Sequence, residues 1–285
     1  MESDKLVEIP PSEWIELREL FSNKWPENHV AWHTINNYVN WFRTDPNTKH
    51  LKIYSLNGTW RSDGTYIVID RYQIFIYTLE FTNEKLKRAL KLLDWSIGLK
   101  VSSFLKRHRS AVLDTVQEKR LKIEYDSHTP LYFLAKEDAQ KLTLLAPSNV
   151  ILKPLSISDA EVVDNEWPNK HFGSLFFIQR LIERNPNIAA FDENGELMAW
   201  CLRLQSGPLG ALQVGEKFKR RGIASLLIVA MCKILANMNQ DTFALVNYSN
   251  FAASHMFVKL GFKEIDDVYW LRNNPSDETF EWSDD

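Results

Sequence analysis

The residues best placed for chemistry run consecutively: Leu212-Gln213-Val214-Gly215-Glu216-Lys217-Phe218-Lys219-Arg220-Arg221-Gly222-Ile223-Ala224-Ser225. The spacing predicts a strand that hands the chain to a basic loop, whose last residues become the first turn of an apolar helix. There the orphan backbone N–H groups and the positive end of the helix dipole point outward. Gly222 lets backbone approach a phosphate closely, Ala224 keeps that approach clear, and Lys217, Lys219, Arg220 and Arg221 place four cations within five residues. Pyrophosphate suits such a cradle; a solvated surface turn is the other reading of the same residues.

A second stretch lies downstream, Asn247-Tyr248-Ser249-Asn250-Phe251-Ala252-Ala253-Ser254-His255-Met256-Phe257-Val258-Lys259-Leu260-Gly261-Phe262. Read locally it is a helix with Asn250 as its N-cap and Gly261 past its end. Lys219-Arg220-Arg221-Gly222-Ile223-Ala224 resembles the coenzyme A loop Gln/Arg-x-x-Gly-x-Gly/Ala of the GNAT acetyltransferase superfamily, with Lys219 at the Gln/Arg position. The second stretch is similar to that superfamily's later motif, Asn-x-x-(Ala/Ser)-x-x-(Leu/Phe)-Tyr-x-x-x-Gly-Phe. A finer resemblance, to the glycine N-acyltransferase and glycine N-acyltransferase-like family, rests on Trp25-Pro26, Asn194-Gly195-Glu196-Leu197-Met198-Ala199-Trp200 and Val246-Asn247-Tyr248-Ser249-Asn250.

The resemblance implies an α+β chain of two tandem GNAT-like domains with mixed, mostly antiparallel sheets. Residues 1–146 would be a degenerate copy, 147–275 the acyl-CoA-binding copy and 276–285 an acidic, frayed tail. It implies an N-acyltransferase that moves an acyl group from acyl-CoA, its cosubstrate, to glycine or another small amine or amino acid by direct attack. The attacking ammonium must first lose a proton, so a carboxylate or a chain of waters has to serve as base. Glu216 is the first candidate, although the family's glutamate aligns with Lys217. A backbone N–H near Val214 would hold the oxyanion, with Leu212, Lys219, Arg220, Arg221, Gly222, Ile223, Ala224, Ser225, Asn250 and Phe257 around the coenzyme. Phe257 stands where the superfamily often has the tyrosine that protonates the leaving thiolate; Tyr248, Ser254 or water would take over that step. A weakly active acyl-CoA sensor or scaffold, and an acyltransferase acting on protein lysines, are the competing functions.

These groups need elements to hold them. A capped helix is expected from Ser12 to Pro26 and a second from His29 to Arg43, then strands at Leu51–Leu56 and through Tyr66–Leu79. Helical spacing of Leu86, Leu90, Leu93 and Ile97 continues past Gly98 toward Arg120 as more than one helix. Strands follow at Leu121–Tyr125 and Pro130–Leu134. The turn formers of Leu144-Leu145-Ala146-Pro147-Ser148-Asn149 mark the boundary. Beyond it come a strand over Val150–Leu155, a helix from Ser158, a helix Ser174–Arg184, and a hairpin of Ile188–Phe191 and Leu197–Leu204 turning at Asp192-Glu193-Asn194-Gly195. Strand Gly210–Val214, helix Gly222–Met238, strand Phe243–Tyr248, helix Asn250–Leu260 and strand Phe262–Trp270 complete the order.

Composition narrows the function. The 285 residues carry a net charge of −3; five acids fall in residues 276–285, and the rest is near neutral, without the basic domain of a duplex-binding protein. Cys201 and Cys232 are too few for a disulfide framework and lie in apolar patterns, as buried thiols rather than ping-pong nucleophiles. No cysteine lies at metal-ligand spacing from a histidine, so no metal is expected, and His255 reads as a packing or surface residue. Lys106-Arg107-His108-Arg109 reads as a solvated helix end. No apolar run reaches the roughly 20 residues of a membrane span, and the start has no secretory or transit pattern. A cytoplasmic address is expected on those grounds, a mitochondrial one by the family resemblance; oligomeric state is left open.

Overall fold

The computed structural model describes residues 3–171 and 173–276, so the acidic tail from 277 lies outside the described residues. The chain forms two compact units. Among the described residues, one holds those up to His128 together with those from Asp267 to Ser276; the other is Thr129–Asp266.

The first unit contains β1 (Leu6–Glu8), α1 (Trp14–Glu19), α2 (His29–Thr44), β2 (Leu51–Leu56), α3 (Trp60–Asp63), β3 (Tyr66–Asp70), β4 (Gln73–Tyr77), α4 (Glu84–Lys91), β5 (Lys100–Leu105) and α5 (Arg109–Glu118). Next come β6 (Ile123–Leu134) and, in the second unit, α6 (Lys136–Lys141), β7 (Ile151–Lys153), α7 (Ala160–Glu166), α8 (Ser174–Arg184), β8 (Asn187–Phe191), β9 (Leu197–Arg203), β10 (Leu209–Val214), α9 (Ile223–Asn237), β11 (Thr242–Leu245) and α10 (Phe251–Lys259), with β12 (Lys263–Asn273) last.

The same sheet plan occurs twice. In the first unit the order is β1-β2-β3-β4-β5-β12, antiparallel except for the parallel pair β4/β5. In the second it is β7-β8-β9-β10-β11-β6, antiparallel except for the parallel pair β10/β11. The closing strand of each plan comes from the other half of the sequence. Val268–Arg272 of β12 pair with β5, and Leu131–Leu134 of β6 pair with β11. Residue 146, the expected boundary, therefore lies within the second unit, because pairing rather than turn composition decides which residues belong together.

Several local expectations change. The N-terminal helix is broken into short turns, Pro11–Glu13, α1 and Leu20–Ser22, and Ser12 makes no cap. The helical pattern past Gly98 gives way to β5, whose Val101 and Phe104 are buried among the residues that α4 and α5 cover. The two strands expected around Pro130 are one strand. Pro130, with no N–H to donate, sits between the residues of β6 assigned to the first unit and those paired with β11. Lys106–His108 open α5 instead of solvating a helix end: His108 is fully buried and Arg109 pairs with Asp126 at 2.7 Å. The helix expected from Ser158 starts earlier, with Ser156 and Asp159 forming a capping box.

The core of the second unit lies under α9. This helix is apolar nearly all round and buries ten of its residues, among them Leu227, Ile228, Met231 and Cys232, against β8, β9 and β11. A helix so enclosed cannot shift without opening the core, and it fixes the position of its own N-terminus.

Candidate active site

β10 leaves its parallel partner almost at once. It pairs with β11 only at Leu209↔Ala244, while on its other side it follows β9 to Val214↔Ala199. A bulge between Gly210 and Gln213, with Ala211 at φ +48°, turns the strand away. The result is a fork between β10 and β11 whose β10 arm has backbone polar groups to offer. The Gly215 N–H donates to the Met198 carbonyl at 2.9 Å, and strand alternation turns the Val214 N–H the opposite way, toward the open side.

From the fork the chain enters the turn Glu216–Phe218, anchored by Phe218, which is buried in the core beneath α9. Arg220 (φ +62°) and Gly222 (φ +78°) are both left-handed, a conformation that costs a non-glycine residue about 1–2 kcal/mol. Gly222 caps α9 with no side-chain hydrogen bond, and a Cβ there would meet nothing within 4 Å. Leu226 is the first helical amide with a partner, the Gly222 carbonyl at 3.1 Å. Helix geometry thus leaves the N–H groups of Ile223, Ala224 and Ser225 without intrahelical acceptors.

The four cations divide into two pairs. Lys217 pairs with Glu196 and lies 5.0 Å from the centre of the Phe218 ring, and Lys219 holds Glu216 at 2.6 Å. Arg220 and Arg221 are exposed and have no acidic partner among the described residues; Arg221 stacks over Phe218 at 5.6 Å. These two are the cations free to meet an anion. Glu216 is solvent-exposed, with Oε1 on Lys219 and Oε2 open to solvent.

The structure gathers Leu212, Val214, Ile223 and Phe257 around one core. Phe257 is 3% exposed and stacks on Tyr132 with ring centres 5.9 Å apart. Asn250 caps α10, its Oδ1 accepting from the Ala253 N–H at 3.1 Å, and the Ser254 N–H donates to the Asn250 carbonyl at 3.0 Å. Tyr248 is exposed at the start of that segment. Cys201 and Cys232 are buried in the core, where desolvation raises both thiols, Cys232 to about 12. Alkylation by iodoacetamide at pH 8 is therefore expected only after unfolding; labelling of the native protein at either cysteine would contradict that placement.

The first unit shows what an unusable fork looks like. β4 and β5 pair only at Gln73↔Lys100 and Ile74↔Val101 before parting. Here, however, the helix start is already taken: Glu80 Oε2 accepts from the Lys85 N–H at 3.0 Å. Beside it Asn83 donates to the Arg107 carbonyl and its Oδ1 meets His108 Nδ1 at 2.8 Å, with the His108 ring against Tyr77. A carboxylate of the chain occupies the place where α9 offers bare amides. The local sequence around Glu80 gives no sign of this, because its meaning depends on β5 and α5.

Among the described residues, no group of three or more His, Cys, Asp or Glu side chains could hold a metal ion, and no helix is long and apolar enough to cross a membrane. The family model described as FR47-like protein matches residues 188–271, from β8 into β12. No curated protein matches the chain. Among solved structures, a Drosophila protein superposes with a TM-score of 0.85 at 23% identity, covering 96% of this chain and 100% of its own. A tandem GNAT protein from the clavulanic acid biosynthesis pathway, solved without AcCoA, gives 0.56 at 13% identity, covering 96% and 100%. A GCN5-related N-acetyltransferase from Sphaerobacter thermophilus gives 0.52 at 11% identity, covering 94% and 95%. The fold is thus that of tandem GNAT proteins, and the segment similar to FR47-like protein is the one that builds the fork, the basic loop and α9.

Proposed function

We propose that the protein is an acyl-CoA-dependent N-acyltransferase whose acceptor is glycine or another small amine. The observation that carries this reading is the fork between β10 and β11 running into a helix start with no side-chain cap, flanked by two arginines that have no acid partner among the described residues. The N–H groups of Ile223, Ala224 and Ser225, with Arg220 and Arg221, would hold the pyrophosphate. The pantetheine arm would then lie along the open side of β10, near Leu212 and Asn250, and bring the thioester to the Val214 N–H. As the amine adds, the carbonyl oxygen gains charge that this N–H stabilises. Glu216, with its Oε2 open to solvent, would take the amine's proton. The glycine acceptor is supported by the resemblance of the residues around Trp200 and Tyr248.

The test is thiol release from acetyl-CoA and benzoyl-CoA, with and without glycine. Release that needs both donor and amine is expected, and Glu216→Gln should lower kcat by about 10²-fold while leaving donor binding unchanged. Donor binding without amine-dependent release would instead describe a sensor. Inhibition by a lysine peptide would move the acceptor to proteins.

A further inference from the structure

We infer that Tyr132 supplies the hydroxyl that protonates the coenzyme A sulfur as it leaves, an assignment that rests on the acyltransferase reading above. Tyr132 lies on β6 directly opposite Ala244 of β11, and Ala244 is directly opposite Leu209 of β10. Opposed residues of neighbouring strands share a face, so Leu209, Ala244 and Tyr132 form a row across three strands, all in the core under α9. The Leu209↔Ala244 pair is the last before the fork opens, and Ala244 contributes only a methyl group between Tyr132 and β10. Tyr132 therefore stands one strand from the apex of the fork with a low residue in between.

Its ring is held rigidly. It packs nearly parallel on Phe257, at 22° between planes, and the residue is 5% exposed. The hydroxyl makes no hydrogen bond among the described residues, and it is not one of the sealed, unpartnered polar atoms. The small part of Tyr132 that meets solvent thus includes the hydroxyl. Mostly buried tyrosines ordinarily find a partner for that group; here the open side of the fork is the place for one. Phe257 brings to this stack a ring with no hydroxyl, and Tyr132, from a strand about 80 residues before the loop, brings the hydroxyl.

In the transfer, the amine nitrogen forms a bond to the thioester carbonyl carbon and the carbon–sulfur bond breaks with its electron pair going to sulfur. The Tyr132 O–H gives its proton to that sulfur, so coenzyme A leaves as the thiol, and the phenolate regains a proton from water. The proton lost by the amine goes to Glu216 or water.

The experiment compares the full chain, Tyr132→Phe, and Tyr132→Phe combined with Phe257→Tyr, using acetyl-CoA or benzoyl-CoA with glycine and following thiol release. Tyr132→Phe removes a hydroxyl with no partner among the described residues, so its melting transition should match wild type. Its kcat should fall by about 10²-fold with KM for the donor within twofold. Moving the hydroxyl back, with Phe257→Tyr in the same chain, should recover at least tenfold, which a purely structural role for Tyr132 does not predict. A Tyr132→Phe rate within twofold of wild type, a loss confined to KM, or no recovery in the double variant overturns the assignment. If wild type itself releases no thiol with either donor, the acyltransferase reading falls, and this assignment with it.

Discussion

Arg221→Glu combined with Gly222→Asp is expected to abolish stabilisation by every acyl-CoA ester while leaving a folded protein. At a ligand concentration of 100 times Kd, binding to the native state adds about 2.7 kcal/mol; at roughly 2–4 °C per kcal/mol for a chain of this class the melting temperature should rise by roughly 5–10 °C. The variant reverses one of the two loop arginines that have no acid partner among the described residues, and it places a carboxylate where the Cβ of residue 222 has empty space around it. The new carboxylate would occupy α9's bare amides as Glu80 occupies the start of α4. Because nothing obstructs that Cβ, the structural cost is essentially that of a left-handed non-glycine residue, about 1–2 kcal/mol. The measurement is a thermal shift series with acyl-CoA esters and free coenzyme A on both proteins. A variant that keeps the shift would remove the loop from phosphate binding; a wild type with no shift for any ester would remove the proposed ligand.

The other large effect is on acid stability, and it originates in the first unit. Burial of His29, partly offset by its hydrogen bond to the Pro26 carbonyl, holds its ring down to about 4. Burial, reinforced by the nearby Arg107 charge, holds His108 down to about 3. In the unfolded chain both titrate near 6.5. Between those values the unfolded state binds protons that the folded state does not, so stability is fully present above pH 6.5 and falls as the pH drops toward 4 and then 3. At pH 5 the loss is about 2 kcal/mol for each histidine. Guanidinium midpoints measured at pH 7.5, 6.0 and 5.0 should fall steadily, and His108→Gln, though weaker throughout, should show about half the dependence. A midpoint that does not move over that range would contradict the buried neutral state of both rings.

The parts of the molecule legible in the sequence are those whose meaning is local. The hairpin of β8 and β9 announces itself through Asp192-Glu193-Asn194-Gly195, and α9 through an apolar run that begins at a glycine, so the strand, loop and helix of the candidate site lie within a residue or two of expectation. β5 was hidden because Lys100-Val101-Ser102-Ser103-Phe104-Leu105 follows helical spacing in Leu86–Ile97, and only pairing with β4 and β12 makes it a strand. The division of roles among the cations could not be read either. Lys217 is drawn off by Glu196 across the β8–β9 turn, which no count of charges in the loop reveals. Tyr132 gave no signal at all, since its place beside Phe257 depends on a pairing between residues more than a hundred positions apart.

The reciprocal origin of the two closing strands has a consequence for how the protein is made. A chain emerging from the ribosome presents β1 to β5 early, yet the strand that closes their sheet, Val268–Arg272, is translated only after β6 to β11. The second unit takes Leu131–Leu134 from upstream and is complete once Asp266 has emerged, before Val268–Arg272. The half synthesised first is therefore completed after the other, with the β5 edge awaiting its partner while the second unit is made.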